Sequence, residues 1–201
     1  IMAYDKFDED MEAWNKAMRA YYYQKKEHFE LLPDTENEII FLGNSITDGC
    51  EWAELFQNPN IKNRGIGGDD TDGVLERLDE IISSNPSKIF IMIGPNDMAY
   101  GNTVDYVVSN YTKIIDSIEI ICPDTKIYIQ SVLPVDDAIH YTRSTSDIMQ
   151  INTHLEKLSA EKSIEYIELF SIFSNDDNKL NPDYSLDGLH LNGKGYQVWK
   201  E

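Results

Sequence analysis

Five short apolar runs recur along the chain, at Glu38–Leu42, Ile61–Asn63, Lys88–Ile93, Lys126–Leu133 and Ile164–Glu168. They are β-branched and mostly continuous rather than alternating, the pattern of strands covered on both faces in a parallel sheet. Between them, polar and apolar positions fall at helical spacing over about 51–57, 70–83, 103–121 and 145–162, lengths suited to right-handed crossovers. An earlier helix is predicted over about 5–30, with Trp14, Met18, Tyr21, Tyr22 and Phe29 near helical spacing and Pro33 beyond its end. Its aromatic stripe reads as core packing rather than a ligand box. A last helical segment begins near Asn192. Five strands with interleaved helices predict an α/β fold, a doubly wound three-layer α/β/α sandwich on a five-stranded parallel sheet of flavodoxin-like type.

The pattern breaks over about 134–144 and 169–190, and loops of that length are usually functional or mobile. With 201 residues, no internal repeat and no linker-like composition, the expectation is one domain, with residues 1–33 as a packing helix and 38–201 as the core.

Composition narrows the partners. The net charge of −19 produces a field that repels nucleic acid and anionic membrane surfaces. An acidic ligand would need local help from one of four arginines, Arg19, Arg64, Arg77 and Arg143. Cys50 and Cys122 lack metal-type spacing and read as small buried residues. No stretch reaches the roughly 18 apolar residues that cross a bilayer. Residue 1 is Ile rather than Met. The expectation is therefore that the natural N-terminus is missing, an export signal with it, and that the protein is soluble and extracytoplasmic.

Four short segments carry candidate chemistry: Gly43-Asn44-Ser45-Ile46-Thr47-Asp48-Gly49, Asn63-Arg64-Gly65-Ile66-Gly67-Gly68-Asp69, Gly94-Pro95-Asn96-Asp97 and Asp187-Gly188-Leu189-His190. The first three follow strand-like runs, where an open α/β sheet places its ligands. Ser45 can act there as a nucleophile, or equally as the N-cap of a helix. A serine nucleophile needs a base and a group that orients the base. His190 is the best candidate base, since His28 and His154 lie in helical patterns and His140 in a polar loop. Asp187, three residues earlier, can receive the other ring N–H. Gly68 and the Ser45 backbone can offer N–H groups, and Asn96 a side-chain amide, to a developing oxyanion. Read alone, each is also an ordinary turn or loop residue. Together they point to acyl transfer.

These blocks, in this order from Ile39 to Trp199, resemble the SGNH hydrolases, the GDSL-type esterases and lipases. FLGNSITDG, NRGIGGD and DGLHLNGKGY are most similar to the branch that holds platelet-activating-factor acetylhydrolase-like proteins and sialate O-acetylesterases. The resemblance implies Ser45 as nucleophile, Gly68 and Asn96 as oxyanion donors, and Asp187 with His190 as acid and base, with no metal or cofactor. Arg64 and Asp69 are taken as substrate-binding. Two positions depart from the pattern: Asn44 stands where Asp is expected, and Pro95 removes a backbone N–H before Asn96.

The expected function is a serine esterase that removes a short acyl group, acetyl first, from an O-acylated sugar such as O-acetylated sialic acid or a polysaccharide. Arg64 or Arg143 would supply the cation for an acidic sugar. A phospholipid or acyl-thioester hydrolase is the alternative on the same residues, and a silent carbohydrate-binding module the non-enzymatic one. The resemblance also implies a homodimer.

Overall fold

The structure, a computed structural model, describes residues 2–201, with side chains from residue 13 onward. Its elements, in chain order, begin with helix α1 (Met2–Leu31), strand β1 (Ile39–Gly43), helices α2 (Ser45–Asp48) and α3 (Trp52–Leu55), β2 (Ile61–Gly65), α4 (Thr71–Glu76) and α5 (Leu78–Ser83). They continue with β3 (Lys88–Met92), α6 (Pro95–Ala99), α7 (Val104–Ile121), β4 (Lys126–Gln130), α8 (Thr145–Lys162), β5 (Glu165–Ile167), α9 (Phe170–Phe173) and α10 (Gly193–Lys200). Among the described residues no helix is long and apolar enough to cross a membrane.

All five strands are parallel, in the order β2-β1-β3-β4-β5. This is the α/β/α sandwich that the apolar runs predict. Alternate strand residues enter different cores. Ile40, Leu42, Ile89, Ile91 and Ile93 meet Val74 and Leu78, Ile81 of α4 and α5, and residues of α7 and α8. Phe41 and Met92 meet Trp52, Phe173 and Trp199 on the other face. Register aligns Phe41 with Phe90 and Phe90 with Tyr128. With Trp52 these rings form a stack at centroid spacings of 4.1, 4.9 and 4.5 Å. Each such pair contributes about 0.5–1.5 kcal/mol beyond its buried area.

Where strands end, buried helix side chains take over the backbone's hydrogen bonds. The Tyr111 hydroxyl pairs with both N–H and C=O of Ile93. The Asn152 amide does the same at Val132, 2.7 and 2.9 Å. This explains why β4 stops at Gln130 although the apolar run continues to Leu133. A parallel ladder gives way to side-chain partners for the backbone groups of Ile93 and Val132.

Three further expectations are corrected. The helix expected over 70–83 is two helices, broken at Arg77, whose guanidinium turns inward beneath the ends of β1 and β2. The segment 169–190 holds α9, four residues too short to show a period. The aromatic stripe of α1 is not core: Trp14 is 60% exposed, and only Phe29 is fully buried. Tyr21 and Tyr22 are half-buried and use their hydroxyls, on Asp48 Oδ2 at 2.6 Å and on Gly73 O at 2.7 Å. The two cysteines are free and buried, as expected.

At Gly65 the end of β2 runs so close to α2 that a Cβ would overlap the Asp48 backbone nitrogen, with no flexible side chain to yield. Gly65→Ala should cost about 3 kcal/mol and lower the Tm by about 10 °C. Gly193→Ala, with open space around it, should melt with the parent. Equal thermal melts for both variants would show that this close approach constrains nothing.

Candidate active site

The ends of β1, β2 and β3 open onto one crevice, because the chain runs outward in both directions from β1 and places its loops where the strand order reverses. Ser45 is the first residue of α2. The N-cap is Asn44, whose Oδ1 accepts from Ile46 N at 3.1 Å. The serine hydroxyl therefore does not cap the helix. Instead Ser45 Oγ lies 3.0 Å from Nε2 of His190. On the far side of the ring, Nδ1 lies 2.7 Å from Asp187 Oδ2. A carboxylate accepts only, so Nδ1 carries the proton and Nε2 is left to accept the Ser45 hydroxyl.

Asp187 is itself tightly held. Its Oδ1 accepts from the backbone N–H groups of Leu189 and His190 at 2.9 and 2.8 Å, a turn made possible by Gly188 at φ +78°. Burial opposes its charge, yet the His190 ring and these two N–H groups outweigh that and hold the carboxyl well below its ordinary range. The loop over 134–144 supports the turn from outside. Asp136 N–H donates to Gly188 O at 2.8 Å, and His140 Nε2 meets Asp187 O at 2.9 Å. His140 is thus a structural contact of this loop and not merely a solvated residue.

The other expected donors follow β2 and β3, the two strands that flank β1. Gly68 needs its glycine, at φ +80°, and no acceptor among the described residues takes its N–H. Asn96 is buried in the first turn of α6, its Nδ2 donating to Asp69 O at 2.8 Å. Pro95 starts that helix, where the missing N–H would have had no intrahelical partner.

Two assignments are corrected. Arg64 does not face the crevice: its Nε donates to Glu80 at 2.6 Å, with the two side chains only 7% and 8% exposed, and its guanidinium lies over Phe29. Asp69 is equally occupied, by the buried Arg77, at 2.9 Å from Nε and 2.8 Å from Nη2. Charge marks Arg64 as ligand-facing, and Asp69 reads as substrate-binding from its place in the second block. Their partners lie 16 and 8 residues downstream and carry no signal of pairing in the linear pattern.

The structure also brings in residues that the sequence reading left without a role. Asn63 donates to the carbonyls of Thr47, Asp48 and Cys50 at 2.9–3.1 Å, fixing the segment after Ser45. Asp48 accepts from Tyr21, Lys25 and Gly67 N, joining α1 to two of the four blocks. Asp97 accepts from the Thr71 N–H and hydroxyl and has no solvent exposure. Asn63, Asp48 and Asp97 all lie inside the blocks, which was the available signal.

Burial pushes the Asp97 carboxyl up to about 7, although the Thr71 bonds pull the other way. The folded state therefore holds a proton that the unfolded chain releases from about pH 4 upward. The stability this group contributes is complete below that pH and is lost as pH rises towards 7. Asp97→Asn, which does not titrate, should gain Tm relative to the parent from pH 4 to pH 7. A constant difference across that range would show that Asp97 does not titrate there.

Comparison with known proteins identifies the family. The model of the GDSL-like Lipase/Acylhydrolase family matches residues 41–198. Platelet-activating factor acetylhydrolase IB subunit alpha2 of Gallus gallus is 29% identical over 171 residues, covering 81% of this chain and 72% of the relative. Among solved structures, a protein of Streptococcus pneumonia assigned as a platelet activating factor superposes with a TM-score of 0.84 at 30% identity, covering 96% of this chain and 94% of that one. A GDSL-like lipase from Bacteroides thetaiotaomicron follows with a TM-score of 0.77 at 25% identity, covering 90% and 94%. The chain belongs to the GDSL-like lipase/acylhydrolase family and is an ester hydrolase.

Proposed function

We propose that Ser45 is the nucleophile of an esterase that removes short acyl groups, acetyl above all, from O-acylated sugars. The observation that carries the reading is the unbroken row from Ser45 Oγ through the His190 ring to Asp187, at 3.0 and 2.7 Å. His190 takes the serine proton as Oγ attacks the ester carbonyl, then returns it to the departing alcohol. Water repeats the sequence on the acyl-enzyme and releases the acid. Asp187 holds the ring in the tautomer that leaves Nε2 free. The N–H groups of Ser45 and Gly68 and the second Nδ2 hydrogen of Asn96 receive the negative charge that develops on the carbonyl oxygen.

Two features support a small acyl group on a polar alcohol. The loop over 134–144 is predominantly polar and is tied to the Asp187 turn, so it does not form a long apolar lid. A cavity of about 480 Å³, which reaches Gly68 but not Ser45, His190 or Asp187, is lined by Tyr22, Tyr23 and Tyr100 and by Arg19, Asp70 and Asp72. Aromatic faces ringed by hydrogen-bonding groups suit a sugar better than an aliphatic chain. The acetyl group is also what the name of the Gallus gallus relative specifies. That name supports a second reading, an acetylated phospholipid as substrate.

The test is acetate release from p-nitrophenyl acetate, O-acetylated sialic acid, acetylated xylan and an acetylated glycerophospholipid. Release from a sugar ester is expected to vanish in Ser45→Ala and to fall about 10,000-fold in kcat in Asp187→Asn, which lets the ring rest in the wrong tautomer. Release from the phospholipid alone would replace the sugar reading with the second one. Full activity in Ser45→Ala would remove the nucleophile assignment altogether.

A further inference from the structure

We infer that Arg143 is a positioning residue for the Asn96 amide, fixing which way that amide faces and strengthening the N–H it offers to the ester oxygen. The inference rests on the esterase reading above. An asparagine side chain has a donor end and an acceptor end of nearly the same shape, and only its neighbours decide between them. Here both neighbours decide alike. The backbone carbonyl of Asp69, which can only accept, takes Nδ2–H at 2.8 Å. The guanidinium of Arg143, which can only donate, gives Nη2–H to Oδ1 at 2.7 Å. A flipped amide would set donor against donor and acceptor against acceptor. One Nδ2 hydrogen then remains unused by Asp69.

The setting of Arg143 adds to the argument. The chain carries 36 acidic residues, yet among the described residues Arg143 forms no ion pair. Among the described residues its Nε is buried without a hydrogen-bond partner, and its only other side-chain hydrogen bond is a long one, 3.4 Å, to Thr142 Oγ1. Its one short bond goes to Asn96. A carboxylate beside the guanidinium would cancel its field. Left unpaired, the positive charge acts through a single amide on the place where an ester oxygen becomes negative, in a site partly screened from water. A charge-assisted bond at Oδ1 also draws electrons from the amide nitrogen and makes the remaining N–H a better donor. The backbone of Arg143 is fixed by its N–H to His140 O at 2.8 Å, within the same loop that braces Asp187. One loop thereby holds both sides of the crevice.

The experiment is a double-mutant cycle on p-nitrophenyl acetate with Arg143→Met, Asn96→Ala and the pair, each checked by thermal melting. Arg143→Met is expected to lower kcat about ten- to a hundredfold with KM within about twofold. In the Asn96→Ala background the same change should alter kcat less than about threefold, since the residue it acts through is gone. Arg143→Lys, which keeps the charge but not the fork, should recover part of the rate and serves as the comparison if the Met variant melts early. Equal losses in both backgrounds would overturn the inference. So would a rise in KM confined to anionic esters with kcat intact, which would make Arg143 a reader of substrate charge. Ser45→Ala separates the two levels: hydrolysis surviving it overturns the esterase reading and this inference together, whereas serine-dependent but additive losses overturn the role of Arg143 alone.

Discussion

The buried ion pair of Asp69 with Arg77 is the interaction on which the crevice depends. Arg77 is 1% exposed and gives Nε–H and Nη2–H to the Asp69 carboxylate and to the carbonyls of Arg64 and Gly43, at the ends of two neighbouring strands. A charge so buried is tolerated only when paired, and breaking such a pair costs about 3–5 kcal/mol because the survivor stays buried. The main chain of Asp69 carries the effect onward: its carbonyl receives Asn96, and its neighbour Gly68 presents the free N–H. Gly73 has no side chain because the Asp69 carboxylate fills that place. One carboxylate thus fixes two strand ends, a helix start and the proposed oxygen-binding side of the site.

The opposite side is held by neutral groups. Asn63 gathers three carbonyls of the segment after Ser45, Tyr196 reaches Ile46 O at 2.7 Å, and Trp52 Nε1 reaches Thr47 O at 2.8 Å. Three buried or half-buried side chains therefore converge on the carbonyls of four residues just after the proposed nucleophile. Rigid support of this kind is what keeps a reacting hydroxyl within hydrogen-bond reach of its base.

The strands and the serine, histidine and aspartate were legible in the chain because each rests on a local pattern. A continuous β-branched run, a glycine after it, and a histidine three residues from an aspartate need no knowledge of distant partners. What was misread depends on contacts across the fold. Arg64 looks like a cation for an acidic ligand, and Asp69 like a substrate contact, until Glu80 and Arg77 are brought beside them. Trp14 fits a buried stripe by spacing, but the helix that carries it lies on the outside and touches the site through tyrosine hydroxyls. His140 and Arg143 sit in a stretch without periodicity, so the contact of His140 with the Asp187 turn is not legible, and Arg143, expected as a cation for an acidic sugar, gives no sign of its bond to Asn96. Short helices such as α6 and α9 escape for another reason, since one turn is shorter than the period that would reveal it.

The strand pairing has one more consequence. Ser45, Gly68 and Asn96 sit two to four residues beyond Gly43, Gly65 and Met92, which register places side by side. Adjacent residues of a strand are about 3.3 Å apart, and a slip that preserves the inward face must move two, about 6.6 Å. Such a slip would bury the same apolar surface and leave the bulk fold intact by most spectroscopic measures. It would nevertheless carry the donors more than two hydrogen-bond lengths from the serine. Turnover in this protein is therefore a gauge of strand alignment, finer than any measure of compactness or helical content.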